Sequence, residues 1–144
     1  MEIRVFGLVL LLVICASLPA EAQTWRDFKW KHIDSRMVEN NCEKVMNRMK
    51  LPQPNANPNN CKEVNSFIRA TDKLVIDVCT GAGRSVGGKL YESDLPFSVV
   101  TCTGNSNQRY PNCKYRGNRS MRKITLTCEN DLPVHYHEDE VVVG

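Results

Sequence analysis

Cys61-Lys62-Glu63-Val64-Asn65-Ser66-Phe67 is the stretch on which the reading of this chain turns. From Lys62 to Ile68 the side chains alternate as in a strand, with Val64 and Ser66 on one side and Asn65 and Phe67 on the other. A lysine directly after a cross-linked cysteine has a pinned backbone, and a pinned ammonium is preorganised to offset growing negative charge. Taken alone, Lys62 is as well explained as a solvated strand lysine. His32 lies far upstream of this stretch, and His135 closes the phrase Leu132-Pro133-Val134-His135 near the chain end. An imidazole titrates at about 6.5, so at mild pH one can accept a proton while another donates one.

The first residues read as a targeting segment. Arg4 supplies a positive start, Val5 to Ser17 is almost wholly apolar, and Ala20-Glu21-Ala22 is a small-x-small cleavage site before Gln23. The expectation is therefore a signal peptide over 1–22, a secreted extracellular product and one domain over 23–144. Without 1–22, Lys+Arg falls from 19 to 18 and Asp+Glu from 16 to 14, a net charge of +4. Cys15 leaves as well, and Cys42, Cys61, Cys79, Cys102, Cys113 and Cys128 remain. Six cysteines in a small secreted chain read as three disulfides, with fifteen pairings open. A metal site is the rival, disfavoured by an oxidising compartment and by the lack of any C-x-x-C pair.

Thr24 to Asp34 reads as a short helix with Thr24 as N-cap, and the four-residue spacing of Phe28 and His32 puts both on its inner face. Asn40 to Lys50 reads as a second helix with Val45, Met46 and Met49 as its stripe. Leu51 to Asn60, with three prolines and four asparagines, is a loop. Thr71 to Val78 fits helix and buried strand alike. Gly81 to Gly88 reads as a flexible turn region, and Phe97 to Thr103, Met121 to Cys128 and Val134 to Tyr136 as strands. The pattern suggests an α+β fold with an antiparallel sheet.

Together, Cys61-Lys62-x-x-Asn65-Ser66-Phe67, the upstream His32 and the Val134-His135-Tyr136 end closely resemble the secreted pancreatic-type ribonuclease superfamily, from about Trp25 to Tyr136. The phrase Glu129-Asn130-Asp131-Leu132-Pro133-Val134-His135 and the six cysteines are most similar to its angiogenin-like branch, fish members included. The resemblance implies a curved antiparallel sheet flanked by three short helices, with Thr71 to Val78 helical. It also implies the pairings Cys42–Cys102, Cys61–Cys113 and Cys79–Cys128. The implied activity is metal-free cleavage of single-stranded RNA 3′ of pyrimidines, with no cofactor. His32 would be the general base, His135 the general acid and Lys62 the fixed cation. Lys31, Asn65, Ser66, Glu129 and Tyr136 would contact substrate, with Ser66 standing where the family usually has a threonine that reads the pyrimidine. Lys31 reads equally as a second cation at the phosphate and as an exposed helix lysine.

Two departures lower the expected rate. His137 stands where the family carries the aspartate that orients the second histidine, leaving Glu138 or Asp139 to take that part, and the acidic run Glu138-Asp139-Glu140 repels phosphate. The family's fourth disulfide loop is absent. Lys114, Arg116, Arg119, Arg122 and Lys123 form one basic stretch, and Arg26, Lys29, Lys31 and Arg36 another. Such charge suits RNA, heparan-type glycans, anionic bacterial surfaces or a cell-surface receptor, though a mixed solvated surface also accounts for it. The rival to an enzyme is thus a secreted angiogenic ligand or cationic bactericide acting mainly by binding. Asn118-Arg119-Ser120 is the single N-glycosylation sequon, expected on a hairpin turn, and a monomer is expected.

Overall fold

The computed structural model describes residues 24–53 and 57–138; residues 1–23, with the expected signal peptide over 1–22, together with Pro54-Asn55-Ala56 and the tail from Asp139, lie outside them. Helix α1, Trp25–His32, starts where the Thr24 side chain accepts the Asp27 N–H at 3.2 Å. Phe28 and His32, one turn apart, are both buried with ring centroids 5.4 Å apart. The spacing thus turns both toward the core, and burying Phe28 contributes about 2 kcal/mol. Helix α2, Cys42–Met49, follows a 3-10 turn and ends at Lys50, whose φ of 52° is left-handed. Helix α3, Asp72–Ile76, resolves the ambiguous segment as helix and continues into a 3-10 turn through Cys79.

Among the described residues, seven strands form two antiparallel ladders. One has the order β1-β4-β5, with β1 Val64–Ile68, β4 Phe97–Gly104 and β5 Tyr115–Arg122. The other has the order β2-β3-β6-β7, with β2 Gly83–Gly87, β3 Leu90–Ser93, β6 Thr125–Glu129 and β7 Leu132–Tyr136. Neighbours along β1 and β4 serve different cores. Ile68 and Val99 join Phe28, Leu126 and Tyr136, while Phe67 and Val100 join Met37, Val45 and Met46. A strand buried on both faces needs apolar residues at every step, which is why the end of β1 loses its alternation.

Three expectations are corrected. Gly81 to Gly88 contains strand β2 rather than only a turn, because β3 supplies its backbone partners. Met121 to Cys128 is two strands. The chain crosses between ladders at Lys123-Ile124, and the Ile124 N–H goes to the Ser93 hydroxyl at 3.0 Å. Asn118 lies mid-strand in β5, opposite Thr101, not on a hairpin turn.

The disulfides are Cys42–Cys102, Cys61–Cys113 and Cys79–Cys128, which removes the metal-site rival for these cysteines. They close loops of 60, 52 and 49 residues. On the chain-entropy account each such loop stabilises by about 4 kcal/mol. No described helix is long and apolar enough to cross a membrane.

Candidate active site

Lys62 enters the site with its backbone held on three sides. Cys61 is tied to Cys113, the Lys62 N–H donates to Tyr110 Oη at 3.0 Å, and its carbonyl accepts from Tyr115 Oη at 2.6 Å. Its ammonium donates to Asn65 Oδ1 at 2.9 Å, and Asn65 Nδ2 donates to the Lys31 carbonyl at 2.9 Å. Asn65 is fully buried, so these bonds fix the lysine against the end of α1.

His32 Nδ1 lies 2.9 Å from the Ser66 carbonyl. A carbonyl only accepts, so Nδ1 carries the proton and Nε2 keeps a free lone pair. The ring is wedged between Phe28 and Tyr136, whose centroid is 5.2 Å away. Burial pulls the His32 pKa down to about 3; the nearby Lys62, Lys31 and His135 cations add to this, and the Ser66 carbonyl opposes it. Burial also lowers the Lys62 pKa, with the Glu138 carboxylate working against it.

His135 arrives on β7 from the two-residue turn Asn130-Asp131, whose φ values of 53° and 64° suit a tight hairpin. The ladder slips beside it. Thr127 opposes His135 while Cys128 opposes Pro133, leaving Val134 as the extra residue. The His135 ring meets His137 edge to face at 4.6 Å, and His137 Nε2 is held 2.7 Å from Thr127 Oγ1. Burial lowers the His135 pKa, followed by His137, Lys62 and Lys31. The two imidazoles and two lysines therefore share one electrostatic neighbourhood.

The remaining expectations divide. Ser66 lies in this neighbourhood, but its N–H donates to Glu138 Oε2 at 3.2 Å and its hydroxyl to Glu138 Oε1 at 2.6 Å. Thr101 Oγ1 is 3.1 Å from the same hydroxyl. Glu138 thus covers the donors of Ser66 and does not orient His135; Asp139 lies outside the described residues. Tyr136 is a core ring beneath His32, and Glu129 pairs with Lys89 at 3.1 Å. The basic clusters are partly neutralised, by Lys29–Asp72 at 2.8 Å and Arg119–Glu39 at 3.3 Å.

Comparison with known proteins places this geometry. The profile of the family described as pancreatic ribonuclease matches residues 23–137. The chain belongs to the pancreatic ribonuclease family. It is 41% identical to Ribonuclease-like 3 of Danio rerio, over 93% of this chain and 95% of that one. It is 37% identical to the angiogenin of Papio hamadryas, over 96% and 95%. The X-ray structure of zebrafish RNase5 superposes with a TM-score of 0.73 at 42% identity, covering 79% of this chain and 92% of that one. For this pancreatic-type ribonuclease, sequence reasoning missed Tyr110, Tyr115, Thr101 and the seat of Glu138. The tyrosines and Thr101 carry no motif, and Glu138 stood in a run that resembled a solvated acidic tail.

Proposed function

We infer that this ribonuclease is secreted and cleaves single-stranded RNA 3′ of pyrimidines without a metal, by transphosphorylation to a 2′,3′-cyclic phosphate and then hydrolysis. The observation that carries this reading is the His32 Nδ1 bond to the Ser66 carbonyl, which leaves Nε2 as a ready base beside Lys62 and His135. In the first step His32 Nε2 takes the 2′-hydroxyl proton, the 2′-oxygen attacks phosphorus, and His135 protonates the departing 5′-oxygen. Lys62, aimed by Asn65, offsets charge on the non-bridging oxygens. Hydrolysis reverses the parts of the two rings. Ser66 presents a donor and an acceptor to a pyrimidine edge once Glu138 withdraws. Mass spectrometry of early products from a uridine–adenosine dinucleotide tests the chemistry: a 2′,3′-cyclic phosphate is expected, and a direct 3′- or 5′-monophosphate with no cyclic precursor contradicts it.

The pH dependence follows from both rings. A base that must be neutral gives activity rising with pH through its pKa, about 3 for His32. An acid that must be charged gives activity falling as pH rises through a His135 pKa below its ordinary value. A bell-shaped kcat/KM profile with its maximum on the acid side of neutrality is expected; a flat profile from pH 5 to 8 contradicts the two-imidazole assignment. His137→Asp places a carboxylate beside the His135 imidazolium instead of another imidazole. The upper limb should then move to higher pH by about one unit, with kcat increased.

A second reading, a secreted angiogenic ligand or bactericide with feeble catalysis, is favoured by the Glu138 carboxylate standing on Ser66. The two combine readily in one molecule. Retained cell or bacterial effects in His135→Ala support binding as the main action; their loss ties them to cleavage.

A further inference from the structure

The sequon Asn118-Arg119-Ser120 sits where it bears on the substrate. Ser66 opposes Thr101 across β1 and β4, and Thr101 opposes Asn118 across β4 and β5. Directly opposed residues of antiparallel strands point to the same face, and the 3.1 Å contact between the Ser66 and Thr101 hydroxyls fixes which face it is. Asn118 therefore continues the row that begins at Ser66, two strand spacings away, or about 10 Å. Strand alternation puts Arg116 and Arg122 on that face as well, on either side of Asn118. Arg122 acts electrostatically on Glu138, so this end of β5 borders the Ser66 site. On the opposite face of β5, Arg119 pairs with Glu39 at 3.3 Å, and a Cβ at Gly117 would meet the Glu39 backbone. Asn118 itself is exposed. Finally, three disulfides place folding in an oxidising compartment, where sequons are glycosylated in secreted proteins.

We propose that Asn118 carries an N-linked oligosaccharide that stands beside the Ser66 site and screens Arg116 and Arg122, weakening the engagement of RNA. This rests on the ribonuclease reading above. In the transfer, Asn118 Nδ2 forms a C–N bond to the anomeric carbon of the first N-acetylglucosamine. The donor is a lipid-pyrophosphate-linked oligosaccharide. Its anomeric C–O bond breaks, the lipid pyrophosphate leaves, and one amide proton passes to a base of the transferase. The glycan then occupies solvent over the row that RNA must approach.

The test uses the full chain secreted from a eukaryotic cell line, beside Asn118→Gln from the same cells. Intact mass is expected to exceed the sequence mass by an oligosaccharide in the wild type alone, and to fall on treatment with peptide-N-glycosidase. KM for an oligoribonucleotide is expected to be about three- to tenfold higher for the glycosylated form than for Asn118→Gln, with kcat little changed. A wild-type chain secreted at the bare mass overturns the proposal, as does equal KM in the two forms. If neither form cleaves RNA, the ribonuclease reading is what fails. Binding of a fluorescent oligonucleotide then decides: weaker binding by the glycosylated form upholds the screening, and equal binding overturns it.

Discussion

His135→Ala is expected to lower kcat/KM by about 10²–10⁴, the usual worth of a positioned proton donor. The ring is half-buried on β7 and packs edge to face against His137, so its removal leaves the hydrophobic clusters intact. A fold defect would lower the thermal midpoint; loss of the acid would not. The remaining activity should also lose its upper pH limb, because no proton donor is left to titrate. His32→Ala should cost as much but with a lowered midpoint, since His32 is packed between Phe28 and Tyr136. Kinetics paired with thermal unfolding of both variants checks the pair. A His135→Ala protein that keeps more than a tenth of wild-type activity contradicts the assignment.

Glu138→Ala is expected to act in the opposite direction and raise kcat/KM for pyrimidine substrates. In the folded chain both donors of Ser66 are held by the Glu138 carboxylate. Hydrogen bonds to a charged group contribute about 1.5–3 kcal/mol. A substrate that must displace them therefore loses about ten- to a hundredfold, and the variant should recover that factor. The gain has a pH signature. Burial raises the Glu138 pKa against the pull of Ser66, Lys62 and Arg122. A raised pKa means that the carboxylate takes up a proton, and loosens its grip on Ser66, above the ordinary carboxylate range. The advantage of Glu138→Ala over the wild type should accordingly be full at neutral pH and shrink on acidification. Kinetics of both proteins on one dinucleotide across that range measures it, and a variant no faster than the wild type at neutral pH contradicts the occlusion.

The parts of the site that could be read from sequence were those carried by local spacing. Phe28 and His32 share a helix face because they are four apart, and both are buried. Lys62, Asn65 and Ser66 lie within five consecutive positions, so one strand start sets their mutual placement. The pairing of the cysteines came only through resemblance, since spacing admits fifteen. What stayed hidden depends on contacts between distant positions. Glu138 reaches Ser66 across 72 residues, and nothing in an acidic tail announces a buried partner. Tyr115 clamps Lys62 across 53 residues by a phenol that reads equally well as surface aromatic. The run from Met121 to Cys128 looked continuous because its Ile, Leu and Thr content does not mark the step between ladders. That step is made by the Ser93 hydroxyl accepting the Ile124 N–H. β2 was obscured for the opposite reason, because its glycines disfavour a strand that the tertiary pairing with β3 nevertheless imposes.

The most direct test of the central claim is cleavage of a fluorogenic pyrimidine–purine oligoribonucleotide by the refolded chain in EDTA at low salt, with a His32→Ala/His135→Ala double variant prepared identically. Turnover in the wild type is expected to be unchanged by EDTA and to vanish in the double variant. Turnover abolished by EDTA, or equal in the two proteins, would contradict metal-free cleavage by this pair of imidazoles.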